Sequence, residues 1–551
     1  MSRSVVARTA PILVIPILAA GALLAPSARA SDAGSRGVAD SHDDAGSHAR
    51  SVLDLGPRDL TETRTQTPLQ PGVTLTEITR GTADASLTWT LEAKIPAPSA
   101  NPDPDAPPTA LSDATSARDQ AERLRTKGFQ ARVEAVAQPR AVDVPPGVLG
   151  FRVRVGSYPT KDAANAVGAQ ITAAGELVSA VYTGWDGDRA ARGPWHVEVV
   201  TIDPPTFRGS LDASYGSDFV NRETTSALTR AAGATVGINA GFFVLDPASG
   251  APGDPAGVGF YDGRLLSEPV NGRPALVLHH NARATSVERL WWKGSVTAGR
   301  STWPLDGINR FPGMIRNCGG DATDTPTSAP LHDVTCKDDS ELVTFTMAFG
   351  PSTPAGPGAE VVLDRAGQVV SSNGSRGVAL AADTTSVQAT GSFAAKLQHV
   401  HVGDRLNLRT GLVNQSGRAV LPGRDTTLVN GGPLLVTGGR EHITQAQDGM
   451  AHPGDPSFDY GWVVKRNPRT FAGVDALGRT VLVTVDGRST TDLGLSIPET
   501  ADVARSLGLV EAINLDGGGS TAMALGGKLI THPSDGTERP VGDAIVVTPR
   551  R

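Results

Sequence analysis

A chain of 551 residues is too long for one ordinary hydrophobic core, so two or three domains are expected. Its net charge of -7 at pH 7, with no dense Lys/Arg block after the first residues, argues against nucleic acid as the main partner. Gly 63 and Pro 40, with charged residues at 19%, point to a turn-rich, strand-rich protein rather than a helical bundle.

The first 30 residues read as a secretory signal. Arg3 and Arg8 supply the positive region, residues 11–25 a short apolar core broken by Pro11 and Pro16, and Ala28-Arg29-Ala30 a small-x-small cleavage site. Cleavage after Ala30 and export to a secreted or wall-associated location are expected, with no membrane span remaining. Residues 31–70, rich in Ser, Asp, Gly, Arg and His, read as a flexible lead-in. The only cysteines, Cys318 and Cys336, are expected to form one disulfide in an exported chain.

Strand-like alternation begins at Val73-Thr74-Leu75-Thr76-Glu77-Ile78 and recurs over 85–95, followed by a Pro-rich loop over 96–108. Ala114, Ala117, Ala121 and Leu124 then recur at helical spacing, ended by Gly128. Strands over 129–136 and 151–156, a helix over 161–174 closed by Gly175, and a strand over 177–182 complete a β-α-β-β-α-β pattern. Gly150-Phe151-Arg152-Val153-Arg154-Val155-Gly156-Ser157-Tyr158, then Ala163, Ala164 and Gly175, make this region resemble the SPOR (sporulation-related repeat) domain. The resemblance implies binding of peptidoglycan glycan strands by a domain over 71–185. A linker over 186–194 leads into a large domain over 195–551.

Four Gly- or Asn-marked segments of the large domain each follow an apolar strand: Ile238-Asn239-Ala240-Gly241, Val429-Asn430-Gly431-Gly432, Val485-Asp486-Gly487-Arg488, and Asn514-Leu515-Asp516-Gly517-Gly518-Gly519-Ser520-Thr521. Open α/β sheets collect ligands just past such strand ends. Between Asp486 and Asp516, Pro498-Glu499, an apolar stripe and Gly508 mark a helix. Strand, helix and strand then form a βαβ unit with parallel strands, placing both aspartates at one edge of a mixed sheet. Neighbouring strands would bring their backbones to ~4.8 Å.

Two carboxylates at such an edge suit glycosidic cleavage, a gap of ~5–5.5 Å favouring a retaining pair and ~6.5–9.5 Å an inverting one. The glycine amides of 517–519, with Ser520 and Thr521, are expected to hold anionic oxygens. Arg469, Arg488 and Arg539 are candidates to grip a phosphate bidentately. There is no Walker-type phosphate loop and no Gly-x-Ser-x-Gly elbow. His442, His452 and His532 lack metal-ligand spacing and read as loop histidines. No cofactor or metal is therefore expected.

The same segments, together with Pro468-Arg469-Thr470 and Pro533-Ser534-Asp535-Gly536-Thr537-Glu538-Arg539-Pro540, resemble the phosphodiester glycosidase family over roughly 195–548. The resemblance implies an α+β or mixed α/β domain that hydrolyses sugar-1-phosphodiesters, releasing the sugar and leaving a phosphomonoester. N-acetylglucosamine-1-phosphodiesters and cell-wall or exopolysaccharide glycans are the substrate classes it brings into view. Asp516, Asp486, Arg488 and Arg469 become the catalytic candidates, with Asp516 or Asp486 as nucleophile or water-activating base. Asn239 and Asp535 are expected to hold sugar hydroxyls; Gly241, Asn430, Gly431, Gly432, Gly517, Gly518, Gly519, Ser520, Thr521, Ser534 and Arg539 complete the substrate-binding set. Residues 302–340 fall outside the family pattern and read as an inserted loop. The alternatives are a non-catalytic wall protein in which both domains hold glycan, and a metal-dependent phosphodiesterase cleaving P–O.

Overall fold

The structure, a computed structural model, describes residues 52–95, 109–270, 272–316, 324–326, 334–452 and 454–550. The leader, most of the lead-in, the 96–108 loop and Cys318 lie outside these residues, so the expected disulfide does too; Cys336 itself is buried.

The large domain is built on an eight-stranded sheet in the order Glu62–Gln70, Val73–Arg80, Trp195–Ile202, Thr480–Val485, Arg469–Asp475, Leu509–Asn514, Leu434–Thr437, Arg440–Glu441. Every neighbouring pair in it is antiparallel. Its central strands Arg469–Asp475 and Thr480–Val485 are buried on both faces, the second being β-branched except for Leu482. On one face Val481, Val483 and Val485 pack with Ala501, Val503 and Ala504 of the helix Ile497–Ser506. That helix starts as its sequence dictates: Ser496 caps it, Glu499 closes a capping box, and Pro498 sits in the first turn. On the other face Val200, Ile202, Leu482, Ala472 and Ile513 meet Val236, Ile238, Met523, Ile545 and Val547 of a second, five-stranded antiparallel sheet.

Two expectations change here. The strands leading to Asp486 and Asp516 are parallel in direction but are not neighbours, because Arg469–Asp475 lies between them and is antiparallel to both. The sheet is therefore antiparallel throughout rather than mixed. The N-terminal segment also moves: Glu62–Gln70 and Val73–Arg80 form a hairpin that extends this large sheet through Trp195–Ile202, so it belongs neither to a flexible lead-in nor to the SPOR-like region.

A third sheet carries Thr426–Asn430 and the long strands Ser286–Ala298 and Leu406–Asn414. The long pair leads to a separate five-stranded sheet with its own core of Leu342, Val361, Leu363 and Val387, most of whose strands lie beyond the 302–340 stretch.

The SPOR-like region has strands in the order Ala131–Ala137, Val148–Tyr158, Trp89–Ala93, Val178–Tyr182. Its helices are Ala114–Thr126, capped by Asp113, and Lys161–Ala173, capped by Thr160. Ala117, Ala121, Leu124, Ala164 and Ile171 from the helices pack on Leu91, Val153 and Val155 of the sheet. The opposite sheet face carries Glu92, Arg152 and Arg154, all buried.

Candidate active site

The candidate residues gather at one edge of the two packed sheets. The strand Leu509–Asn514 ends there, and the chain turns through Gly518–Ser520 with Gly518 in the left-handed region at φ 59. Asn239, at the end of Val236–Asn239, holds this turn in place. Its Nδ2 donates to the Asp516 carbonyl at 2.7 Å, and its Oδ1 accepts from Thr470 Oγ1 and the Ala522 amide. Being fully buried, with both polar atoms engaged, Asn239 braces the Asp516 loop instead of facing a sugar. Asn430 is similar: it bonds both the amide and the carbonyl of Phe242, and Gly241 lies tight against it. Gly431 and Gly432 donate to the carbonyls of Pro274 and Asn514.

The glycine run differs in role from expectation. The amide of Gly517 meets its neighbour's Asp516 carboxylate, while those of Gly518, Ser520 and Thr521 meet the carbonyls of Pro468, Gly517 and Gly518. These amides are engaged within the protein, and Ser520 and Thr521 are buried. What the glycines provide is space. A Cβ at Gly518 would stand 3.1 Å from Arg488 Nη2, and one at Gly519 would stand 2.1 Å from Asp535 Oδ2 and 2.3 Å from Arg539 Nη2. Arg488 and the Asp535–Arg539 pair thus lie directly on the turn, and Ser534 donates to Asp535.

Arg469 is 4% exposed, and among the described residues its hydrogen bonds run to the carbonyls of Leu495, Trp462 and Lys465 rather than to a carboxylate. Burial first, and then the charge of Arg488, push its guanidinium down to about 9, with Glu499 opposing. Arg488 takes φ 59, a left-handed backbone unusual for a side chain of its size, and its Nε donates to Asn467 Oδ1 at 3.1 Å. The Arg488 charge thus acts on Arg469 at a strained position, an arrangement chemically suited to an anion.

Asp486 is 1% exposed. Both its oxygens accept from the His532 amide, and His532 Nδ1 lies 2.7 Å from Oδ2. Register puts Asp486 opposite His196 and diagonal to Glu198, so all three side chains share one sheet face. Burial, reinforced by the Asp486 charge, pushes Glu198 up to about 8, although Thr484 Oγ1 donates to it at 3.0 Å. Asp486 is itself raised by burial, against the bonds from His532. Ionisation of Asp486 thus disfavours ionisation of Glu198. Beside them His196 is bonded to Asp492 and raised by that bond.

The structure thus brings Asp486, Asp516, Arg469, Arg488, Asp535 and Arg539 to one rim. Sequence reading had passed over Glu198, His196 and Asp492 and had set His532 aside as a loop histidine. The signal for Glu198 and His196 was the alternation of Trp195–Ile202, which is visible but says nothing of its partner strand; His532 directly precedes the Pro533-Ser534-Asp535 motif.

Residues 357–548 match the phosphodiester glycosidase family, and residues 109–183 match the SPOR domain. The chain thus carries a phosphodiester glycosidase domain and a SPOR domain. Bovine N-acetylglucosamine-1-phosphodiester alpha-N-acetylglucosaminidase is 31% identical over 147 residues, 26% of this chain and 28% of that protein. A prophage-derived uncharacterized protein of Bacillus subtilis, YomE, is 39% identical over 83 residues, 15% of this chain and 13% of its own. The chain thus spans under a third of the length of the curated relatives it matches. A crystal structure from Burkholderia pseudomallei K96243, of a protein whose name marks it as expected to be exported, covers 91% of this chain and 98% of its own, at 32% identity and a TM-score of 0.79. Among the described residues no helix is long and apolar enough to cross a membrane.

Proposed function

We propose that this protein is an exported hydrolase that cleaves the glycosidic bond of sugar-1-phosphodiesters within glycans. The observation that carries the reading is the buried Arg469, bonded to carbonyls beside Arg488 at the lip of the Gly517–Gly519 turn. A buried cation held this way is stabilised most by an anion that arrives with the substrate. A phosphodiester meets that need, and the bovine relative's printed name describes the same linkage.

Accessibility separates the two aspartates. Asp516 is half-buried at the rim, whereas Asp486 is almost wholly enclosed. Asp516 is accordingly assigned to the water that attacks the anomeric carbon and takes its proton. The bond from C1 to the phosphate oxygen breaks, and the phosphomonoester departs with the electron pair. Arg469 and Arg488 neutralise the charge that builds on it. The Asp486–Glu198 pair returns a proton to the departing oxygen, and exposed His532 connects the pair to solvent. Asp535, held by Arg539, is the candidate for sugar hydroxyls. The leader, with cleavage after Ala30, and a SPOR domain both support action outside the cytoplasm on wall or exopolysaccharide material.

Hydrolysis of a panel of sugar-1-phosphodiesters in 18O-labelled water tests the reading. Label in the released sugar is the expected result, with loss of turnover in Asp516→Asn. Label in the phosphate would replace the glycosidase reading with P–O cleavage, and binding of the panel without turnover would favour a glycan-binding protein.

A further inference from the structure

Both faces of the SPOR-like sheet are largely covered among the described residues. Its helices cover one side, and the other is buried against the large domain. What is buried there is charged. Arg154 bonds Glu92 at 2.9 Å and Asp186 at 2.7 Å, and Arg152 reaches Asp186 at 3.3 Å. Two residues of the large domain complete this network. Tyr460 donates its hydroxyl to Glu92 Oε2 at 2.8 Å and accepts from Arg152 at 2.9 Å. Lys465 places its ammonium 2.9 Å from Glu92 Oε1.

Tyr460 and Lys465 bound the short helical turn Tyr460–Val464, and this turn leads straight to the anion site. The carbonyl of Trp462 accepts from Arg469 Nη2 at 2.7 Å, and that of Lys465 accepts from the same group at 3.4 Å. The carbonyls of Gly461 and Lys465 both accept from Asn467 Nδ2 at 3.0 Å, and Asn467 Oδ1 in turn holds Arg488. Both arginines are therefore oriented by a segment whose two ends are fixed by a carboxylate of the other domain.

We propose that the SPOR-like domain serves here as a fixed clamp on the active site, with Glu92, through Tyr460 and Lys465, positioning Arg469 and Arg488 for an anionic substrate. A buried, fully partnered polar network defines one geometry because any other leaves charges unpaired. Hydrogen-bonded supports of this kind hold binding groups in register without touching the ligand. The clamp makes the 460–469 segment rigid before substrate arrives, so little ordering remains to be done on binding. The buried charges of this sheet face give the domain a role in its own chain. The identity of the anion rests on the phosphodiester reading; the mechanical coupling does not.

The test uses the full chain and two readouts. Amide hydrogen exchange over 460–469 is measured in the wild type, Tyr460→Phe, Glu92→Gln and Asp516→Asn, and inorganic phosphate binding is followed by calorimetry. Exchange in that segment is expected to rise about tenfold in Tyr460→Phe and further in Glu92→Gln, with phosphate affinity falling about tenfold and the circular dichroism spectrum unchanged. Asp516→Asn should leave the exchange as in the wild type. Lys465→Arg should retain phosphate affinity where Lys465→Met loses it. Unaltered exchange in Tyr460→Phe would overturn the proposal, whether or not Glu92→Gln folds. A wild type that ignores phosphate would count against the phosphodiester reading, and the exchange result would still decide this one.

Discussion

His532 holds Asp486 from two directions, its amide donating to both carboxylate oxygens and its ring Nδ1 lying 2.7 Å from Oδ2, while the ring itself stays 82% exposed. An enclosed carboxylate is thus joined to solvent by one imidazole. The ring bond lowers the Asp486 pKa against the burial that raises it. His532→Ala removes that lowering, so Asp486 will hold its proton to higher pH. Because the Asp486–Glu198 pair serves as the general acid, the alkaline limb of the pH–rate profile should move upward, with activity on the acid side changing little. A profile that keeps its alkaline limb would separate His532 from the proton pathway.

Glu198 gives a stability prediction of definite sign. Its ordinary value is 4.5 and the folded chain raises it to about 8, through burial and the nearby Asp486 charge. Between those values the unfolded chain has lost the proton and the folded chain still holds it. Folding stability therefore declines as pH rises from about 4.5 to about 8. Glu198→Gln removes this slope. The variant should match the wild type in denaturant midpoint at pH 4 and exceed it at pH 8.5, and turnover should fall if the carboxyl supplies a proton. An unchanged slope would assign the pH dependence to other groups.

The comparison with sequence shows which information is local. Asp113 before Ala114, Ala117, Ala121 and Leu124 marks the first helix within one residue of its start, because capping and helical spacing are written in adjacent residues. The strand before Asp486, the helix Ile497–Ser506 and the strand before Asp516 were legible for the same reason. The insertion of Arg469–Asp475 between the two strands was not. A fully buried strand has no polar face to show which neighbours it takes, and both of its partners follow it in the chain, the second only after the helix Ile497–Ser506. The hairpin at 62–80 was misplaced similarly, since alternation reveals a strand but not the sheet it joins. The chemistry followed the same division. Asp486, Asp516 and the arginines stood out beside glycines, whereas the Glu198–Asp486 pair exists only through register between strands nearly 290 residues apart.

Arg469 should reveal its ligand through stability. Inorganic phosphate that binds the folded chain alone stabilises it by about 2.7 kcal/mol at a hundredfold excess over Kd. The wild type should show a corresponding rise in Tm, and Arg469→Met should show none. Arg469→Lys keeps a charge but loses the planar fork that bonds Leu495 and Trp462, so its phosphate affinity should fall about tenfold to a hundredfold. Equal phosphate stabilisation in all three proteins would place the anion elsewhere.

Gly518 and Gly519 test whether the turn provides space or amides. Gly518→Ala must keep φ 59 and set a methyl 3.1 Å from Arg488 Nη2, at a backbone cost of ~1–2 kcal/mol. Gly519→Ala meets the Asp535–Arg539 pair at far shorter range. If the glycines serve close packing, Gly519→Ala should separate that pair and raise KM more than Gly518→Ala. Indistinguishable kinetics for the two variants would count against this account.

The strand between the aspartates also bears on stereochemistry. With Arg469–Asp475 interposed, the backbones leading to Asp486 and Asp516 stand two inter-strand spacings apart, ~9.6 Å. That backbone spacing is well beyond the ~5–5.5 Å carboxyl gap of a retaining pair and lies at the upper end of the ~6.5–9.5 Å gap that leaves room for a water. Inversion is the expected outcome: an α-linked sugar-1-phosphodiester should first release the β-anomer. Proton NMR of the anomeric signal during the first turnovers, before mutarotation, reads this directly. Initial release of the α-anomer would require a covalent glycosyl intermediate, and Asp516 would then be the carboxylate to search for it.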